Sequence, residues 1–257
     1  MTPLFRDPER GVRVYKLGGP ALRDAALLEG LAREIAAIPE AAAVVHGGGE
    51  RVTRLLESLG IEAGFSEGRR ATSDEAMPVV EMVLSGIVSK ELAARLTASN
   101  VPALGLSGRD GGLVRARLEP GLGRVGVPEA VDPRPLAAAW SAGFLPLVSP
   151  VSQAPDGRAV NVNADEVALA LARALGARGL VYLSDVNGVE LEGAPVPELD
   201  ASRAEQAIAA GEIGGGMALK VRTALEAVSA GIGEVVVAGA ARLQGGFPGT
   251  RLIGGAA

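Results

Sequence analysis

The chain has 257 residues, a formal net charge of −5, only 3% aromatic residues and no cysteine. This composition disfavours nucleic-acid binding, which needs a basic surface, and it excludes disulfides, thiolate metal sites and cysteine nucleophiles. The single histidine excludes a multi-histidine metal site, and no apolar run reaches the roughly 20 residues of a membrane span, so we expect a cytoplasmic protein without nucleic-acid or membrane partners.

The predicted strands and helices alternate along the chain. From the N-terminus, we predict a strand at 12–17, a helix at 24–38, a strand at 42–45, a helix at 50–59, a long helix at 75–98, short strands at 101–106, 113–118 and 124–127, a helix at 134–142 and a strand at 144–148. The pattern continues with a helix that begins near 163, a strand at 180–183, helices at 202–211 and 217–230 and a strand at 234–238. Such alternation is typical of an α/β three-layer sandwich with a central, mostly parallel sheet.

Two local patterns add detail to this organisation. Asn163 and Glu166 have the spacing of a capping box, which indicates the start of a helix. The prolines and the glycine of 150–158 indicate a turn. We interpret this turn as the boundary between two lobes of one domain, residues 1–155 and 156–257.

Three glycine-rich segments, predicted as strand-to-helix turns, are candidate anion sites. They are KLGG at 16–19, HGGG at 46–49 and IGGGM at 213–217. Glycines let backbone N–H groups converge on an anion, and the N-terminus of the next helix adds positive charge, although each segment alone is also compatible with a plain tight turn. The chain has no P-loop and no dinucleotide fingerprint after its first strand, which disfavours a nicotinamide dehydrogenase.

The distribution of lysine singles out two of these segments. Arginine occurs 22 times and lysine three times, at Lys16, Lys90 and Lys220. Two of the three lysines therefore lie in or next to a glycine-rich segment. Such positions are candidates for sites where a planar guanidinium cannot replace a compact ammonium, the alternative being chance retention.

Further motifs occur in a fixed order over nearly the whole chain. Besides the three glycine-rich segments they are GRR at 68–70, GLSGRDGG at 105–112, NVNAD at 161–165, LSDVNG at 183–188 and GMALKV at 216–221. In this order they resemble the amino acid kinase family, and among its members those that phosphorylate N-acetyl-L-glutamate in arginine biosynthesis. The resemblance implies an amino-terminal lobe that binds the acyl amino acid, a carboxy-terminal lobe that binds ATP with Mg²⁺, an acyl phosphate product and no metal site built from protein ligands.

The resemblance also assigns catalytic roles. Phosphoryl transfer to a carboxylate brings two anions together, so the protein must supply positive charge and alignment. Lys16 and Lys220 would contact the transferring group, one from each lobe, and Asp165 would hold both lysines. For Asp165 the alternative is an ordinary carboxylate in the first turn of a helix.

Substrate and nucleotide ligands follow from the same resemblance. Arg70 would bind the α-carboxylate, unless it is a solvated loop arginine; Gly47 and Gly48 would donate backbone N–H groups, and Asn161 would bind the acylamino group. His46 is either structural or a base, and an ionised carboxylate nucleophile needs no base. The nucleotide-binding residues implied are Gly18, Gly19, Ser184, Asp185, Gly188, Ile213, Gly214 and Met217.

The sequence leaves two alternative functions open, and it also predicts an oligomeric state. A related kinase of lysine biosynthesis, acting on acetylaminoadipate or carrier-protein-bound aminoadipate, takes a substrate one methylene longer, which a pocket distinguishes by about 1–3 kcal/mol. A non-catalytic amino acid or nucleotide sensor is disfavoured because Lys16, Lys220 and Asp165 are all present. About eleven residues precede the first predicted strand, and with this short segment the resemblance predicts a homodimer. The helix at 75–98 would form the contact between the two copies; the alternative is that this helix is buried in the core of a single copy.

Overall fold

Strands and helices alternate through most of the protein, whose computed structural model describes residues 7–62, 64–66, 68–246 and 248–254. The strands are β1 Asp7–Leu17, β2 Glu40–His46, β3 Phe65–Ser66, β4 Arg69–Arg70, β5 Ala103–Ser107, β6 Val114–Leu118, β7 Val125–Val131, β8 Leu145–Ser149, β9 Val151–Gln153, β10 Ala159–Val162, β11 Gly179–Leu183, β12 Glu190–Leu191, β13 Ala194–Pro195, β14 Glu198–Asp200, β15 Glu234–Ala238 and β16 Thr250–Ile253. The helices are α1 Ala25–Ala37, α2 Gly49–Ser58, α3 Ala76–Glu81, α4 Ser89–Ala98, α5 Arg134–Ser141, α6 Ala164–Ala174, α7 Ala201–Ala209, α8 Gly215–Ser229 and α9 Ala240–Leu243, with a π-helical stretch at Met82–Val88 and 3-10 turns at Pro20–Arg23 and Asp110–Gly112.

The central sheet has the order β14-β16-β15-β11-β1-β2-β8-β5. From β5 to β15 each neighbouring pair of strands is parallel, and β16 is antiparallel to β15. The predicted α/β fold with a mostly parallel sheet is confirmed. After β1 the chain places β2, β8 and β5 on one side of it and β11 and β15 on the other, which makes the β1–β11 boundary the topological switch point of the sheet.

Helices cover both faces of this sheet. Side chains of β1 alternate between two apolar clusters: Val14 packs with α6 and α8, whereas Tyr15 packs with α1 and α4. All seven residues of β2 are buried, as expected for a strand covered on both faces. The three predicted layers are therefore present.

A small closed barrel of β6, β7, β9 and β10 adjoins the central sheet. The segment 150–158, predicted as a turn, begins with strand β9, and only its second half turns. Ala154 N–H donates to the Arg158 carbonyl at 2.9 Å, which closes the hairpin to β10. The short length of β9 explains why sequence periodicity did not indicate a strand here.

Two helical regions depart from the expectations. The long predicted helix is helical from Ala76 to Ala98, but its centre, Met82–Val88, is π-helical. The prediction of a strand before the segment at 213–217 was wrong, because that segment connects α7 to α8. None of the described helices is both long enough and apolar enough to cross a bilayer.

Candidate active site

The turns that follow the central strands meet at the carboxyl edge of the sheet. Gly18 N–H donates to the Leu183 carbonyl at 2.8 Å, and Gly47 N–H donates to the Leu17 carbonyl at 3.0 Å. The ends of β1, β2 and β11 are thereby held together. Open α/β sheets bind ligands at this edge, beside the switch point.

Three charged side chains form a buried group that we call the lysine–aspartate cluster: Lys16, Asp165 and Lys220. Lys16 comes from the end of β1, Asp165 from the first turn of α6 and Lys220 from α8. Lys16 Nζ lies 2.8 Å from Asp165 Oδ1, and Lys220 Nζ lies 3.2 Å from both carboxylate oxygens. The structure thus places the three predicted catalytic residues in direct contact.

Burial and mutual charge set the protonation of this cluster. Burial, together with the neighbouring Lys16 ammonium, lowers the pKa of Lys220 to about 8, although Asp165 opposes the shift. Burial alone would raise the pKa of Asp165, but the two ammonium groups outweigh it and hold that pKa below its usual value. At pH 7 the cluster carries two positive charges and one negative charge, so it attracts anions.

A cleft, which we call the Arg70 cleft, lies beside Lys16. Its lining includes these residues predicted from sequence: Lys16, Gly19, Gly47, Gly48, Arg70 and Asn161. The rest of the lining combines apolar side chains, among them Val125 and Val162, with the polar residues Arg69 and Asn163. The structure therefore brings all four predicted substrate-binding residues to one cavity.

Arg70, on β4, is the polar centre of this cleft. The side chain is only 6% exposed, which rules out a solvated loop arginine. Its Nη2 donates to the Gly49 carbonyl at 2.8 Å and to Thr53 Oγ1 at 2.6 Å, and its guanidinium stacks 4.5 Å from the centroid of the Phe65 ring. Burial lowers its pKa.

The remaining nitrogen of that guanidinium suits a ligand. Arg70 Nη1 is buried and has no hydrogen-bond partner within the described part of the chain. Buried donors are normally satisfied, and a carboxylate is the partner that best matches a guanidinium. Sequence reasoning missed Thr53 and Phe65; for Thr53 the available signal was its place one helical turn after Gly49.

Backbone geometry at the second glycine-rich turn explains the need for glycine. Gly48 has φ +144°, and a Cβ there would lie 2.9 Å from Leu84 Cδ2. A side chain is excluded both by conformation and by the packing of the helical segment behind the turn. The N-terminus of α2 is consequently open to the Arg70 cleft.

Asn161 connects to Arg70 through a threonine. Its Nδ2 donates to Thr72 Oγ1 at 3.1 Å, and that hydroxyl donates to the Arg70 carbonyl at 2.8 Å. The loop after β4, which has the sequence ATSD at 71–74, is therefore hydrogen-bonded to Asn161 and to the carbonyl of Arg70.

Of the residues predicted to bind the nucleotide, only Gly19 lines the Arg70 cleft. Gly18 follows β1, three others follow β11, and the last three lie at the start of α8. Ser184 Oγ donates to Asp185 Oδ1 at 2.9 Å at the end of β11. Gly188 is buried, Met217 is partly buried against the core, and the Ile213 side chain is in the core, so only the Ile213 backbone could reach a ligand.

The glycines at the start of α8 have open space around them. A Cβ at Gly214, Gly215 or Gly216 would meet no atom within 4 Å. The helix has no side-chain N-cap, so its first N–H groups are available to a phosphate. Lys220 lies on the same helix.

His46 and Asn163 have structural surroundings. His46 is fully buried, its Nδ1 lies 2.8 Å from the Gly47 carbonyl, and burial lowers its pKa to about 4, so it is neutral at pH 7. Asn163 Oδ1 accepts from Asp165 N–H at 2.8 Å and caps α6. The predicted capping box is only half formed, because Glu166 pairs with Arg69 instead.

Within the described residues, no group of three or more His, Asp or Glu side chains could hold a metal ion.

Comparison with known proteins is in line with this geometry. Residues 11–239 match the amino acid kinase family. The acetylglutamate kinase of Rubrobacter xylanophilus is 44% identical over 245 residues, which cover 92% of this chain and 95% of that protein. Among solved structures, smu.665 from Streptococcus mutans UA159 has a TM-score of 0.83 at 25% identity, covering 94% of this chain and 98% of that one. Carbamate kinase from Giardia lamblia bound to AMP-PNP has a TM-score of 0.68 at 17% identity, covering 95% and 98%, and it shows the shared fold.

Proposed function

The chain belongs to the amino acid kinase family, and we propose that it transfers the γ-phosphoryl group of ATP to the side-chain carboxylate of N-acetyl-L-glutamate, in arginine biosynthesis, giving ADP and an acyl phosphate. The observation that carries the proposal is the lysine–aspartate cluster between the Arg70 cleft and the open start of α8. The relatives at 38–44% identity are acetylglutamate kinases, which favours this substrate over the longer aminoadipate derivatives.

The residues around the cleft divide the chemistry between them. Arg70 binds the α-carboxylate, Gly47 and Gly48 present backbone N–H groups, and Asn161 binds the acylamino group. The reacting carboxylate is ionised at pH 7 and attacks without a general base. Lys16 and Lys220 neutralise the charge that develops on the transferring group, and Asp165 holds the two ammonium groups apart at fixed positions.

The nucleotide occupies the region between β11 and α8 in this proposal. Gly18, Gly19, Ser184, Asp185, Gly188, Gly214, Met217 and the Ile213 backbone are its proposed ligands. Bound with ATP, Mg²⁺ would supply further neutralisation of the phosphate charge. Residues 1–155 and 156–257 are the two lobes, and the exposed apolar part of the helix at 76–98 forms the contact of a homodimer.

The test is ADP release with MgATP and N-acetyl-L-glutamate, N-acetylaminoadipate, glutamate, carbamate or UMP, with hydroxylamine to trap the acyl phosphate. We expect turnover with N-acetyl-L-glutamate well above the others. Turnover with the longer substrate alone would instead assign the chain to lysine biosynthesis. The variant Arg70→Lys should raise the KM for N-acetyl-L-glutamate at least about tenfold, because a single ammonium cannot both keep the contacts of Nη2 to Gly49 and Thr53 and present the donor that Nη1 offers to the carboxylate. A rise in the ATP KM instead would contradict the assignment of the cleft.

A further inference from the structure

The β3–β4 hairpin, which carries Arg70, is bound to the first turn of α6. Arg69 Nη2 lies 2.5 Å from Glu166 Oε1, and Arg69 Nε donates to Glu166 Oε2 at 3.3 Å. The two side chains are only 21% and 12% exposed. Arg69 directly precedes Arg70, and Glu166 directly follows Asp165. The ion pair therefore connects the chain next to the proposed substrate-binding arginine with the chain next to the aspartate of the cluster.

The same hairpin also contacts α8. At its turn Gly68 has φ +78°, and a Cβ there would lie 3.3 Å from Leu219 Cδ2. Leu219 directly precedes Lys220. The hairpin therefore contacts Glu166 on α6 and Leu219 on α8, which are next in the chain to Asp165 and Lys220 of the lysine–aspartate cluster.

We propose that Arg69 and Glu166 are positioning residues that couple the binding of the acyl amino acid at Arg70 to the placement of Asp165 and the two lysines; this inference rests on the proposed function. Successive side chains of a strand point to opposite faces. On β4, Arg70 accordingly reaches Gly49 and Thr53 of α2, while Arg69, which also lines the cleft, pairs with Glu166 of α6. A displacement of β4 when Arg70 captures a carboxylate is transmitted through Arg69 to the helix that holds Asp165.

The energetics of the pair suit such a role. An exposed ion pair contributes little, whereas breaking a largely buried pair leaves an uncompensated charge. Glu166 also lies at a helix N-terminus, where a carboxylate is favourable. The pair therefore has a strongly preferred geometry, and the two ligands that meet at the cluster should each bind more tightly when the other is present, by the same factor.

The experiment measures the Kd of N-acetyl-L-glutamate by calorimetry with and without saturating Mg²⁺–AMP-PNP. In the unaltered protein we expect the analogue to tighten binding at least about fivefold. In Arg69→Met and in the isosteric Glu166→Gln this factor should fall below about twofold, and kcat should fall about 10- to 100-fold. The double variant should be no worse than the worse single variant, since both changes remove one interaction.

The matched control is Arg134→Met, which removes an exposed arginine paired with Asp132 away from the cleft. It should keep the coupling factor of the unaltered protein, and Arg69→Lys, which keeps the charge, should restore part of it. A coupling factor unchanged in both Arg69→Met and Glu166→Gln, or none in the unaltered protein, overturns the inference even if turnover is normal. Absence of ADP release by the unaltered protein with N-acetyl-L-glutamate instead refutes the proposed function.

Discussion

Lys16 and Lys220 share one carboxylate in a chain whose other basic residues, apart from Lys90, are arginines. Both ammonium groups are buried, and a planar guanidinium in either place would need more room and more acceptors than Asp165 provides. The scarcity of lysine, visible in the sequence, therefore has a structural reason at these two positions. Lys90 is exposed on α4 and has no such reason.

We expect Lys16→Arg and Lys220→Arg each to reduce kcat at least about 100-fold although charge is retained, because a displaced donor no longer stabilises the transferring group. Steady-state ADP release with N-acetyl-L-glutamate measures this. Lys90→Arg is the control and should retain normal turnover. Near-normal rates in both cluster variants would contradict the requirement for a compact ammonium.

The lowered pKa of Lys220 predicts a pH dependence. Because burial brings this pKa to about 8, the ammonium is protonated at pH 7 and loses its proton as the pH rises through about 8. We expect kcat/KM to be level between pH 6.5 and 7.5 and to fall about tenfold per pH unit well above pH 8. A profile that stays level to pH 9.5 would show that Lys220 keeps its proton.

At the scale of an element, the local sequence determines where helices α1 and α6 begin. Helix α1 begins where Asp24 accepts a hydrogen bond from Leu27 N–H at 3.0 Å. Helix α6 begins at Asn163 in the same way, but Glu166 leaves its local capping role for Arg69, 97 residues away in the chain. A strong ionic partner supplied by the fold has displaced a weaker local contact.

The N-cap of α1 gives a test at this scale. Asp24→Ala should lower the free energy of unfolding by about 1 kcal/mol, because one N–H of the first turn loses its acceptor. Urea denaturation measures the change. Asp24→Asn keeps the acceptor and should be nearly neutral, so equal losses in both variants would assign the effect to something other than capping.

Strand order determines the site at the scale of the whole molecule. Because β11 lies beside β1, the helices α6 and α8 reach over the end of β1 and place Asp165 and Lys220 against Lys16.

On another side of the molecule, the helical segment 76–98 exposes Met82 and Ile87, which are 56% and 47% accessible. These two side chains lie on the helical segment that we propose as the contact of a homodimer.

We expect the protein to be a dimer by light scattering, and the double variant Met82→Glu/Ile87→Glu to be a monomer, since two carboxylates cannot be buried unpaired in an apolar contact. The control is Leu59→Glu, because Leu59 is equally exposed, at 55%, at the end of α2. A dimer that persists in the double variant would locate the contact elsewhere.

The sequence by itself determined the alternation of strands and helices and the glycine-rich turns, because periodicity and turn chemistry are local properties. The cluster residues were identified from the sequence through the resemblance to the amino acid kinase family. It did not indicate the strands of two to four residues, such as β3, β4 and β9, or the π-helical stretch, and it wrongly placed a strand directly before 213–217. Only the tertiary structure decided that Arg70 is held by Thr53 and Phe65, and that Arg69 pairs with Glu166. These contacts join segments far apart in the chain, and their geometry depends on the order of the strands and on which helix faces which turn.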